Sequence, residues 1–292
     1  MEGFDGTNAT FQSGLQLMSD TFRLQHKNLI PPEWKFTMNT KDMKKVHFFF
    51  TFIILFINTS LLISQDALEI VRKADDLMRG KSSFAQITMT IVKPDWQRKM
   101  TMKAWSLDPN YSIILITEPA RDKGTVTLKR GNEVWNWLPS VQKVIKIPPS
   151  MMLQSWMGSD FTNDDLVRAS SIVKDYTHTL LGREIYHDYE CYKIQLIPKP
   201  EAGVVWAKVL LWISIKGYME LKTEYYDEDG VLVKSFLGSN IKSFGDRQLP
   251  EHWEMIPVEN PQNKTILDYV ELNFNIINEP NFFSLQNMKH VR

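Results

Sequence analysis

The residues best able to do chemistry are few and scattered. The six histidines are His26, His47, His178, His187, His252 and His290. His178 and His187, with Asp188 and Glu190, come nearest to a metal-ligand set. Scattered histidines in strand-like and turn-like stretches are more often surface or hydrogen-bonded residues than ligands. Asp164-Asp165 is the strongest acidic pair, and general acid–base work is one use for it. Thr162-x-x-Asp165 also spells a capping box, which places both carboxylates at the positive end of a helix carrying Leu166 and Val167. Capping is the expected role. Cys191, the one cysteine, lies in a strand-like stretch and is expected to be a small buried hydrophobe. The chain has no G-x-S-x-G elbow, no H-E-x-x-H, no C-x-x-C pair and no phosphate loop. No catalytic residue, metal or cofactor is expected, and the protein is not expected to be an enzyme.

The apolar inventory is less ordinary. Trp135 and Trp137 share one face of a strand, with Val134, Asn136 and Leu138 on the other. Ile87, Met89, Met100 and Met102 add flexible apolar surface, and methionine suits a site that must fit irregular hydrocarbon. Between Pro148-Pro149 and Gly158, the residues Met151, Met152, Leu153, Trp156 and Met157 are too apolar for an exposed loop, and Phe161 follows them. Core filling accounts for residues of this kind. The alternative is that these twelve residues line a cavity, with 148–158 as its lid.

The elements that must position them are mostly strands. Leu68, Val71, Ala74, Asp75 and Met78 recur at helical spacing over 66–78, with Gly80 as the stop. The period then becomes two. Ala85, Ile87, Met89 and Ile91 alternate with Gln86, Thr88 and Thr90. Met100, Met102 and Ala104 alternate with Arg98, Thr101 and Lys103, and Lys93-Pro94-Asp95 makes the turn. Strands are expected at 111–117, 125–130, 133–138 and 144–147. A helical interruption is expected over 150–173. Further strands are expected at 176–182, 189–197, 206–213, 219–226, 231–236, 241–244, 252–256 and 264–274. Asp229-Gly230 is a hairpin signal. An open antiparallel sheet of so many strands must curl or split, and its concave face needs a cover, or a large apolar patch would meet water.

The amino-terminal part divides the chain. Residues 1–42 are polar and show no sustained apolar period, so they are expected to be disordered or to precede the true start. Met43-Lys44-Lys45 opens an apolar run from Val46 to Ile63, followed by polar Ser64-Gln65-Asp66. Over 43–64 this is the layout of a signal peptide, with Met43 as the start. An uncleaved membrane anchor and a buried core helix remain open, because about 18 residues is the lower limit for a span. The domain expected from 65 to 292 is long enough for one sizeable core. With 34 basic and 34 acidic residues and no block of like charge, nucleic acid is not expected as a partner.

Residues 154–167, Gln-Ser-Trp-Met-Gly-Ser-Asp-Phe-Thr-Asn-Asp-Asp-Leu-Val, resemble a motif of the LolA-like outer membrane lipoprotein-sorting proteins, in the versions associated with RND-type exporters. The match continues in order. Ala74 to Gly80 resembles that family's start, Asn132 to Pro139 and Ile147-Pro148-Pro149 its middle, and Phe283 to Met288 its ending. Coverage is essentially 66–292. The resemblance implies a mainly β fold with a few helices: a strongly curved antiparallel sheet forming an incomplete barrel around an apolar cavity covered by helices. It also implies a monomeric periplasmic carrier, in a Gram-negative bacterium, for lipid or the acyl chains of lipoproteins. An inner-membrane RND-type exporter would be the partner. A cell-envelope sensor or adaptor of the same fold, binding a protein instead of a lipid, is the other function considered. Residues 1–42 have no counterpart in the resemblance, and the lid-latching arginine of LolA finds no match.

Overall fold

A computed structural model describes residues 67–168, 172–276 and 279–292, with the backbone only at 166–168. The extension 1–42 and the apolar segment 43–64 lie outside the described residues. Among the described residues no helix is long and apolar enough to cross a membrane.

Helix α1 covers residues 67–79. Its buried stripe is Ala67, Ile70, Val71 and Ala74, one position away from the expected Leu68. Arg247 donates to the carbonyls of Asp76 and Leu77 at 2.9 and 2.6 Å, satisfying acceptors that a helix end leaves open. Gly80 ends the helix at φ +63°, and a Cβ there would lie 3.1 Å from the Phe274 ring. Only glycine meets both conditions without strain.

Thirteen strands follow: β1 (Ser82–Lys93), β2 (Trp96–Leu107), β3 (Tyr111–Glu118), β4 (Val126–Arg130), β5 (Glu133–Leu138), β6 (Lys143–Lys146), β7 (Tyr176–Tyr186), β8 (Tyr189–Pro198), β9 (Lys208–Ser214), β10 (Glu220–Tyr226), β11 (Leu232–Phe244), β12 (Arg247–Pro257) and β13 (Lys264–Phe274). They form one open sheet ordered β6-β5-β4-β3-β2-β1-β13-β12-β11-β10-β9-β8-β7. Every pairing is antiparallel. Two sequence expectations are corrected here. The segments 231–236 and 241–244 belong to one continuous strand, β11, because the ladder with β12 runs on past Gly238 and Ser239. Gly238 is needed there: a Cβ would come within 2.9 Å of Pro250 and 3.1 Å of the Trp253 ring. Among its described residues the interruption 150–173 is largely turn, with one 3₁₀ turn (Pro149–Met151) and a single short helix, α2 (Asn163–Arg168). Its Met152, Trp156, Met157 and Phe161 pack on the sheet rather than forming a helical stripe.

Register defines two faces. Leu180, Ile194, Leu211, Thr223, Phe236, Met255, Thr265, Ile91 and Arg98 stand directly opposite one another across nine strands, so they share a face. Helix α1 packs on this face through Val209, Leu211 and Ile213, and its Leu77 and Met78 reach the cluster built on Met89 and Met102. The segment 148–165, called the strap below, lies on the same face. Seven strand spacings separate β5 from β11, about 34 Å on a flat sheet. Yet Met152 packs with Val134 of β5, the Asp164 amide bonds the Met152 carbonyl at 2.8 Å, and neighbouring Asp165 pairs with Lys234 of β11 at 2.5 Å. The sheet therefore bends sharply, and the face bearing α1 and the strap is the concave one. On the convex face, the carboxy-terminal tail, with 3₁₀ turns at Pro280–Phe282 and Asn287–Lys289, packs over β2 to β5.

Candidate functional site

The strap owes its shape to local hydrogen bonds. Ser155 and Thr162 form a bridge, Trp156 donates its amide to the Phe161 carbonyl at 2.7 Å, and Gly158 at φ +75° turns the tip. The Thr162–Asp165 capping box is reciprocal: the Thr162 amide bonds Asp165 Oδ2 at 2.7 Å, and the Asp165 amide bonds Thr162 Oγ1 at 3.1 Å. The expected capping role is what the structure shows.

Five strap residues fasten it to the concave face. The Trp156 indole donates to Thr127 Oγ1 of β4 at 3.1 Å. Arg98 of β2 donates to the Met157 carbonyl. Asp160 pairs with Lys93 of β1 at 2.7 Å and accepts from Thr265 of β13 at 2.7 Å. Phe161 meets Phe236 of β11 edge-on at 5.6 Å, and Phe236 stacks on Trp253. Asp165 holds Lys234, whose ammonium also lies 4.8 Å from the Trp206 ring centre. Lys234 is only 4 % exposed, so loss of its carboxylate would strand a buried cation.

Between the strap and α1, the concave face carries polar groups. Glu220 accepts from Thr223 Oγ1 at 2.5 Å. Loss of hydration pushes the Glu220 carboxyl up, and Asp75 adds to this. Loss of hydration likewise raises the Tyr225 hydroxyl well above its usual range, with Asp165 and Glu220 contributing, and raises Tyr269 to about 12. All three side chains nevertheless keep accessible surface.

The twelve candidate residues do not gather in one place. Ile87, Met89, Met100, Met102 and Trp156 form one buried cluster, with Met157 and Phe161 packed against it. Met152 packs separately on Val134 and Ile147. Met151 and Leu153 are exposed, Leu153 by 60 %. Trp135 and Trp137 point the other way, into the convex cluster of Phe283 and Met288, where Lys289 lies over Trp137. Sequence reasoning missed Arg98, Lys93, Lys234, Glu220, Tyr225 and Tyr269. Arg98 was grouped with Thr101 and Lys103, although its even spacing from Met100 and Met102 already placed it on their face.

His178 is buried on the concave face and bonded to the Ile172 carbonyl; burial lowers its pKa. His187 sits in the β7–β8 turn, edge-on to Tyr186 with ring centres 4.4 Å apart. Among the described residues no group of three or more histidine, cysteine, aspartate or glutamate side chains is arranged to hold a metal. Cys191 is fully buried, and burial pushes its thiol up to about 11, far from the range of a reactive thiolate.

A protein-family model described as an uncharacterized protein matches residues 108–290. No curated protein matches the chain. A DUF1329 family protein from Desulfovibrio piger is 21% identical, with 77% of this chain and 99% of that chain covered and a TM-score of 0.71. An outer membrane lipoprotein-sorting protein domain from Vibrio parahaemolyticus is 22% identical over 77% and 99%, with a TM-score of 0.68. A LolA superfamily protein from Nitrosomonas europaea is 25% identical over 75% and 98%, with a TM-score of 0.65.

Proposed function

Since this chain belongs to the DUF1329-like family of uncharacterized proteins, whose structural neighbours are LolA-superfamily lipoprotein-sorting proteins, we propose that it is a carrier. It holds lipid, or the acyl chains of lipoproteins, on the concave face of its sheet and moves them towards the outer membrane. The observation that carries this reading is the state of Glu220, Tyr225 and Tyr269. They are walled in deeply enough to lose hydration, yet keep accessible surface. In this reading those side chains face the space that the cargo occupies.

The mechanism follows from solvent. Exposing an acyl chain to water costs about 0.8 kcal/mol per CH₂, and an apolar hollow removes most of that cost without covalent chemistry. Uptake and release require the strap to lift. Its bonds through Asp160, Asp165, Arg98 and Trp156 set the resistance, and affinity stays moderate so that cargo can leave. In this reading the protein works in the periplasm of a Gram-negative bacterium, entering through segment 43–64 or tethered by it, beside an RND-type exporter.

Extraction of the purified protein followed by mass spectrometry is expected to yield bound lipid, and a neutral fluorescent acyl ester is expected to bind at micromolar concentration. Absence of both sinks the reading. The sensor or adaptor alternative draws support from the close packing of Trp156 with Ile91 and Met100, all 3 % exposed or less. Met157→Asp separates the two. A carrier loses the acyl probe and keeps its fold; a filled adaptor core unfolds.

A further inference from the structure

We propose that Glu220, set beside Thr223 on the concave face by the β-bulge at Leu221, selects the polar end of the bound acyl compound: esters, amides and amines are accepted, and free fatty-acid carboxylates are turned away. This selectivity rests on the carrier reading above.

The placement is a product of register. Residues three apart on a regular strand point to opposite faces. Here Glu220 stands opposite Ile213 while Lys222 stands opposite Trp212. The extra residue brings Glu220 to the face of Ile213, which packs against α1, and Thr223 stands opposite Leu211 on that same face. Bulges commonly re-aim a side chain in this way.

Glu220 is the carboxyl of this region without an ion pair; Arg79 acts on it only from a distance, and that guanidinium is bonded to Asp75. Among the described residues no lysine or arginine pairs with it. Asp75, Asp160 and Asp165 are each matched, by Arg79 at 2.6 Å, Lys93 at 2.7 Å and Lys234 at 2.5 Å. Its one bond is the Thr223 hydroxyl. Its carboxylate accepts a hydrogen bond from an amide N–H or a glycerol hydroxyl and leaves a neutral ester unopposed. The ionised form attracts an amine. A second carboxylate meets the Glu220 and Asp75 charges with Arg79 already held by Asp75, in surroundings that screen like charges poorly, so a fatty acid could enter only by taking up a proton.

The test uses the full chain at pH 8 and displacement of a neutral fluorescent acyl ester by three competitors of equal chain length: a glycerol monoester, an alkylamine and the free fatty acid. The ester and the amine are expected to compete at least tenfold better than the acid. Glu220→Gln, with folding checked by thermal melting, is expected to cut that gap to threefold or less. Equal competition by ester and acid in the wild-type protein, or a gap unchanged in the Gln variant, overturns the role of Glu220 and leaves the carrier standing. Failure of the fluorescent ester itself to bind overturns the carrier reading.

Discussion

The same strands are covered twice, in opposite ways. On the convex side of β2 to β5, the tail buries Phe283 and Met288 completely against Leu107, Ile113, Leu115 and Leu128. On the concave side, the strap buries Trp156 but is otherwise held by ion pairs and hydrogen bonds through Arg98, Thr127, Lys93, Thr265 and Lys234. Apolar burial has no direction and is lost in proportion to the area exposed. A clasp of charges can exchange its partners for water and re-form. In the proposed carrier the tail is therefore the fixed seal, and the strap is the cover that must move, against both its polar clasp and the burial of Trp156.

Phe283→Ala attacks the seal and is expected to have the largest effect, about 3–5 kcal/mol of stability lost in urea denaturation. A loss below about 1 kcal/mol would erase the contrast. Asp160→Asn attacks the clasp. It should cost about 1–3 kcal/mol and speed proteolysis within 150–165 while leaving the tail protected. Equal protection of the strap in this variant would mean that the cover is as fixed as the seal.

Titration sharpens the contrast further. The folded-state pKa of Glu220 lies above the ordinary 4.5, so its native form binds the proton more tightly than the unfolded chain does. Its contribution is complete below about pH 4.5 and is lost as pH rises through the raised value. Glu220→Gln should therefore gain melting temperature over the wild type at pH 8 and show no gain at pH 4. His178 runs the other way. Its pKa is lowered from 6.5, so its contribution is present above pH 6.5 and is lost as pH falls through the lowered value. The smallest effect is expected at Cys191. Iodoacetamide at pH 8 should leave the folded protein unlabelled and modify it only after unfolding, as a thiol pushed up to about 11 requires.

Much of the architecture was legible in the chain. Alternation placed Ile87, Met89 and Ile91 opposite the faces of Gln86, Thr88 and Thr90, because a strand sends successive side chains to opposite sides. The Thr162–Asp165 cap was legible because both partners lie within four residues. The candidate site was legible only in part. Period two separates the faces of each strand but does not say which one becomes concave, so Trp135 and Trp137 were grouped with Met100 although they face the tail. Glu220 was invisible because a bulge depends on the register of the neighbouring strand, not on local composition.

By itself, then, the sequence determined the strands, their turns and the local caps, since these depend on backbone geometry and on neighbours a few residues away. Tertiary structure alone decided the direction of the bend, the seating of the strap against Lys93 and Lys234, and the turning of Glu220 inwards. The bend and the strap depend on contacts between residues tens of positions apart, and the turning of Glu220 depends on its register with the neighbouring strand; only the folded sheet sets either.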